Sequence, residues 1–168
     1  SFAWTLKAMT DSLGASDFVY SVVKSSAGGL MNLLPAIIFV IGAVIAFATG
    51  TSWGTFGILI PIVVDVFSGT NHELMIISIS ACMAGAVCGD HCSPISDTTI
   101  MASAGAQCDH VNHVTTQLPY ALMAAVVSFV TYIIAGFVQT PWIALPAGFV
   151  LMFLTLLVVR FKFDTLKM

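Results

Sequence analysis

Six apolar runs of different length dominate the chain, and polar stretches rich in glycine, serine and threonine separate most of them. Leu30 to Ala48 is uncharged and mostly apolar. Nineteen positions at about 1.5 Å each make a helix of roughly 28 Å, enough to cross the hydrocarbon core of a bilayer. The run stops at "TGTSWG", Thr49–Gly54, and a second apolar arm continues from Thr55 to Phe67 until "SGTNHE" closes it. That arm is too short to span on its own. A long arm, a polar tip and a short arm predict a re-entrant hairpin or a broken span over residues 30–67.

The same design follows again. Leu74 to Val87 reads as an apolar helix that breaks at "CGDHCSP", and Ile95 to Gly105 resumes as a helix rich in small residues. Residues 74–105 are therefore expected to form one discontinuous helix. "AQCDHVNHVTTQ" reads as a polar surface loop, with gating as its functional alternative. Two uninterrupted spans are expected after it, over 117–138 and 142–160, with Pro141 suited to the start of the second. Residues 1–24 read as the tail of one membrane element and a short helix, and "SSAGG" as a linker. The opening "SFAW" reads like the middle of an apolar element, so the 168 residues are expected to be one transporter-domain fragment of a longer chain.

Composition strengthens this picture. The chain is 58% hydrophobic and 8% charged, against roughly 25% charged residues in soluble domains. A water-facing surface cannot be built from so few charges, and the class is an all-α polytopic membrane protein. Three of the five basic residues, Arg160, Lys162 and Lys167, lie at the C-terminus, which places that end on the cytoplasmic side by the positive-inside rule. No cofactor and no nucleic-acid partner is indicated. The bilayer is the partner implied by composition, and a homodimer is compatible with it.

The two breaks carry the chemistry. Backbone at membrane depth must be hydrogen-bonded internally or line a cavity, and half-helix ends offer free N–H groups to anions and free carbonyls to cations. Thr49, Gly50, Thr51, Ser52 and Thr55 of the first break supply hydroxyl and carbonyl oxygens of the kind sodium favours. A plain interfacial loop with Trp53 in the aromatic belt is the bland alternative. The second break adds Asp90, His91, Ser93, Ser96, Asp97, Thr98 and Thr99 around Pro94, which cannot supply an N–H to a helix ladder. Asp97 falls on the first turn of the resumed helix, near its positive dipole end.

An acid within a membrane segment is a functional hypothesis by default. Asp97, Asp90 and His91 are the candidate proton carriers. Asp97, Thr51, Ser52 and Ser93 are the candidate sodium ligands. Against these stand helix capping for Asp97, an interfacial charge for Asp90, a satisfied hydrogen-bonder for His91, and back-bonding for Thr98 and Thr99. Asp65, His72 and Glu73 read as interfacial or solvated. Cys88, His91, Cys92, Cys108, His110 and His113 do not match a zinc-ligand spacing. No G-x-S-x-G elbow supports an enzyme, and paired breaks belong more to alternating access than to an open channel.

"FATGTSWGTFGILIPI" (Phe47–Ile62) and "GDHCSPISDTTIMASAGAQCDHVNHVTTQLPYAL" (Gly89–Leu122) resemble the NhaC-type sodium/proton antiporters. The resemblance is close over about residues 28–125. It implies secondary active transport of Na+ and H+ across a bacterial inner membrane. It also implies two inverted repeats whose breaks meet near the membrane midplane. This chain would then be the C-terminal repeat, and the N-terminal repeat of the same protein its partner. Some relatives exchange organic acids or amino-acid-like solutes on the same scaffold, and the motif does not separate these. No arginine lies in the membrane segments, which favours a cation as substrate.

Overall fold

The computed structural model describes Met9, Ser12, residues 29–67 and residues 71–166. The element and linker expected over residues 1–28 lie almost wholly outside the described residues. Six helices follow in order: α1 (Gly29–Thr49), α2 (Ser52–Phe67), α3 (His72–Cys92), α4 (Asp97–Gly105), α5 (His110–Val138) and α6 (Pro141–Leu166). No strand occurs among the described residues. α1, α3, α5 and α6 are long and apolar enough to cross a membrane, whereas α2, with 16 residues, is a shorter apolar helix.

α1 and α3 run parallel, backbone against backbone. A Cβ on Gly85 would overlap the Phe39 carbonyl, and one on Gly89 would overlap the Ala43 carbonyl. Gly42 faces the other way, with its Cβ position 3.1 Å from the Cys82 carbonyl oxygen and 3.2 Å from the Ala86 nitrogen. Ala81, Cys82, Gly85, Ala86 and Gly89 are all buried. Their spacing of one and four residues puts them on one α3 face, and small residues there let the two main chains touch. α2 returns alongside the pair, packing Val63, Val66 and Phe67 with Leu34 and Leu74 into an apolar core.

α5 closes the other side. Gly136 meets the Asn32 carbonyl of α1, and Phe39 and Tyr132 lie with ring centroids 5.6 Å apart. Three amides tie the same end together. Asn71 Nδ2 donates to Gln139 Oε1 at 3.1 Å, and Gln139 Nε2 reaches Asn32 Oδ1 at 3.5 Å. Asn71 also caps α3, its Oδ1 accepting from the Glu73 and Leu74 amides. Gln139 ends α5 with a left-handed φ of 52°.

Two boundaries differ from the sequence reading. α3 does not stop at Val87 but runs on through Cys92. Gly89, which reads as a breaker, lies within the last turn of α3, where α1 leaves no room for a side chain. At about 31 Å α3 crosses a bilayer unaided, so the break follows a full-length helix rather than dividing one. The expected surface loop is helix from His110 onward. Asp109 caps it through the Asn112 amide at 2.9 Å, and α5 begins at His110 rather than at residue 117, with Pro119 inside it. Only residues 106–109 remain as a turn. The last helix begins at Pro141, as its missing N–H allows.

Candidate functional site

Seven polar residues are buried among the described residues, and five of them are Asp90, Ser93, Ser96, Thr99 and Ser103. The polar interior is therefore concentrated where α3 ends and α4 begins. Asp90 occupies the last turn of α3 and is 3% exposed. The chain leaves the helix at Ser93, passes Pro94 and Ile95 in a turn, and re-enters at Asp97 with Ser96 as N-cap. This reversal carries the α4 N-terminus back over the Asp90 carboxylate.

Ser96 Oγ lies 2.7 Å from Asp90 Oδ1, and Thr98 Oγ1 lies 3.2 Å from Asp90 Oδ2. Ser96 Oγ and Thr98 Oγ1 are themselves 2.7 Å apart. Each hydroxyl carries a single hydrogen. With Asp90 ionised, both hydrogens go to the carboxylate and the contact between the hydroxyls holds none. A proton on Oδ2 completes the ring: carboxyl to Thr98, Thr98 to Ser96, Ser96 back to Oδ1. The cluster thus has a place for one more hydrogen than its hydroxyls supply. The Thr98 amide also donates to Ser96 Oγ at 3.2 Å.

Among the described residues, two buried hydroxyls, Thr99 Oγ1 and Ser78 Oγ, have no hydrogen-bond partner. Ser96, Thr99 and Ser103 recur at three and four residues, on the buried face of α4. Thr99 therefore does not back-bond, contrary to the simplest expectation for a helical threonine. An unpartnered buried hydroxyl costs about 1–3 kcal/mol.

The remaining candidates divide. Ser93 is fully buried, and its Oγ accepts from the Ile95 amide at 3.4 Å. Asp97 is exposed among the described residues, and its Oδ1 accepts from the adjacent Thr98 amide at 2.9 Å. His91 is exposed, with Nδ1 on the Val87 carbonyl at 2.9 Å. Thr49 bonds back to the Ile45 carbonyl and Thr55 to the Thr51 carbonyl. Thr51 Oγ1 accepts from the Gly54 amide at 3.4 Å, and Ser52 opens α2. No hydroxyl of the first break is hydrogen-bonded to the Asp90 cluster.

The two breaks nevertheless touch through the main chain. Gly50 stands at the hairpin tip with φ +68°, and a Cβ there would come 2.9 Å from the Ile95 carbonyl oxygen. Glycine is required twice over, for the left-handed turn and for the close approach. Sequence reasoning named both breaks and Asp90 but not the participants from α5. His110 Nε2 lies 2.7 Å from the Pro94 carbonyl, and Gln117 Nε2 donates to the His91 carbonyl at 3.1 Å.

A buried carboxylate thus lies under two hydroxyls at a helix break, and a second break touches that break through the main chain. The model of the Na+/H+ antiporter family matches residues 1–137. The chain belongs to that family. It is 46% identical over 160 residues to an uncharacterized protein of Haemophilus influenzae, covering 95% of this chain and 30% of that one. It is 32% identical over 113 residues to a malate-2H(+)/Na(+)-lactate antiporter of Bacillus subtilis, covering 65% and 24%. It is 33% identical over 112 residues to an arginine/ornithine antiporter of Halobacterium salinarum, covering 64% and 23%. The chain thus spans about a third or less of the curated relatives it matches. No solved structure matches it. Family membership and the four apolar helices mark it as a multi-pass membrane protein.

Proposed function

We propose that the protein containing this chain exchanges sodium for protons, with Asp90 as the carboxylate for which the two cations compete. It would belong to the NhaC-type branch and act in a bacterial inner membrane, its C-terminus cytoplasmic. The observation that carries this reading is the four-oxygen ring of Asp90, Ser96 and Thr98, with Asp90 and Ser96 buried, and one hydrogen short when the carboxylate is ionised. A proton closes the ring. A sodium ion, a hard cation suited to oxygen ligands, can take the proton's place by drawing the same oxygens toward itself. Thr99 Oγ1 and Ser93 Oγ are the next oxygens along the break. Asp97 is the weaker carrier, because its carboxylate is exposed and engaged with its own helix start. Thr51, Ser52 and the Gly50 turn would brace the site from the hairpin, which we read as re-entrant.

A second reading rests on the two named relatives, one exchanging malate and lactate and the other arginine and ornithine. The same break would then serve a sodium- or proton-coupled organic solute, whose carboxylate would meet the α4 N-terminus. Everted vesicles carrying the protein, energised to a pH gradient that a dye reports, separate the two. Sodium chloride alone should collapse the gradient, with potassium chloride inert. Collapse that needs malate, lactate, arginine or ornithine would move the assignment to the solute exchanger.

Thr99→Val gives a sharper result at the site itself. Removing an unpartnered hydroxyl should raise thermal stability in detergent by about 1 kcal/mol. If Thr99 is a ligand, the half-saturating sodium concentration rises about tenfold in the same vesicles. A more stable protein with unchanged sodium dependence would remove Thr99 from the ligand set.

A further inference from the structure

A helix that ends inside a bundle leaves carbonyls without partners. At the end of α3, the Asp90 carbonyl is taken by the Ser93 amide and the Ser93 carbonyl by the Ser96 amide. The His91 and Pro94 carbonyls are taken by side chains of α5, from Gln117 and His110. These two residues are seven apart, hence on one face of α5. The carbonyl can only accept, so His110 Nε2 carries the hydrogen. The other ring nitrogen, Nδ1, lies 3.0 Å from Ser103 Oγ in α4. The imidazole therefore joins Pro94, before α4, to Ser103, near its end. Ser96, Thr98 and Thr99 all lie within the segment it spans. Among the described residues, no hydrogen bond joins His110 to Asp90.

We infer that His110, with Gln117 as its second strut, is a positioning residue for the ion site. It holds the break from α5 so that the Ser96 and Thr98 hydroxyls meet the Asp90 carboxylate. This rests on the Asp90 reading above, and its role is mechanical rather than that of a ligand. Because α4 is only nine residues long and largely exposed, little apolar packing fixes its position, and two directed hydrogen bonds weigh heavily. The device also explains why α5 starts at His110 instead of at residue 117: its extra turns reach back to the break.

Two measurements on the protein containing this chain test the inference. In everted vesicles, His110→Leu should raise the half-saturating sodium concentration about tenfold, one directed hydrogen bond's worth, with a smaller fall in maximal rate. His110→Gln keeps an N–H donor for Pro94 and should recover most of the sodium affinity. In lipid nanodiscs, hydrogen–deuterium exchange over residues 93–104 should quicken in His110→Leu and Gln117→Leu and stay near normal in His110→Gln. Unchanged exchange there overturns the inference, whatever the substrate. Unchanged sodium affinity in His110→Leu, or a glutamine variant as impaired as the leucine one, overturns it too. Wild-type vesicles that do not respond to sodium would count against the Asp90 reading alone, since the exchange measurement needs no substrate. Should His110→Leu not accumulate, Gln117→Leu supplies both measurements.

Discussion

Asp90→Asn abolishes sodium-driven proton movement while leaving the protein folded in the membrane. The ring of Asp90, Ser96 and Thr98 lacks one hydrogen when the carboxylate is ionised, and the asparagine amide supplies it permanently. Nδ2 donates to Thr98 Oγ1, Thr98 to Ser96 Oγ, and Ser96 to Oδ1, over the 3.2, 2.7 and 2.7 Å separations of the native cluster. The variant is thus a fixed copy of the protonated state. It should unfold at the same temperature as the wild type or above it. Without a negative charge there is nothing to hold a cation in an apolar bundle. Removing that charge is worth about 3 kcal/mol or more, at least a hundredfold in exchange rate at limiting sodium. Asp97→Asn, by contrast, removes an exposed carboxylate that accepts from the adjacent Thr98 amide, and should lower exchange only modestly. The dye assay in everted vesicles reads both. Equal loss from the two substitutions would mean that exposure among the described residues is a poor guide to which acid carries the proton.

Gly85→Val is expected to remove the folded protein altogether. A Cβ at residue 85 meets the Phe39 main chain, not the movable end of a side chain. α1 cannot yield without lifting off α3 along its length, and Ala43 against Gly89 would part with it. Overpacking typically costs about 1–3 kcal/mol and occasionally more; against main chain the upper end applies. A typical total stability of about 5–15 kcal/mol leaves little margin. The amount of detergent-soluble protein surviving a heat step checks this. Gly105→Ala is the matched control, because nothing lies within 4 Å of a Cβ there, and it should behave as wild type or slightly better. A Gly85→Val protein as heat-resistant as the wild type would contradict the parallel packing of α1 and α3.

The runs around Leu30–Ala48, Pro119–Val138 and Ile143–Val159 could be read directly, because a membrane helix has to look apolar throughout. The second break was equally readable from Pro94 and the hydroxyls around it. What the one-dimensional pattern could not carry was which polar residue ends up inside. Asp97 looked favoured because it follows the break, where the dipole of a new helix points. Yet α4 turns that side chain outward and folds Ser96 and Thr98 over Asp90, a matter of how α3 packs on α1. Gly89 was misleading for the same reason. Read alone it is a helix breaker, and read with Ala43 opposite it is a contact point that keeps α3 straight for one more turn. His110 and Gln117 sat in a stretch whose histidines, threonines and asparagine resemble a loop. Only the Asp109 cap, three residues before Asn112, marked the start of a helix there. The carbonyls that recruit them, His91 and Pro94, carry no signal in sequence at all, since every residue has one.

The central claim is that sodium and a proton compete at Asp90. Binding of radioactive sodium to the purified protein containing this chain, in alkaline and in mildly acidic buffer, tests it without any membrane gradient. The wild type should bind sodium in alkaline buffer and release it on acidification, and Asp90→Asn should bind none in either. Sodium binding by Asp90→Asn with the pH response of the wild type would contradict the account.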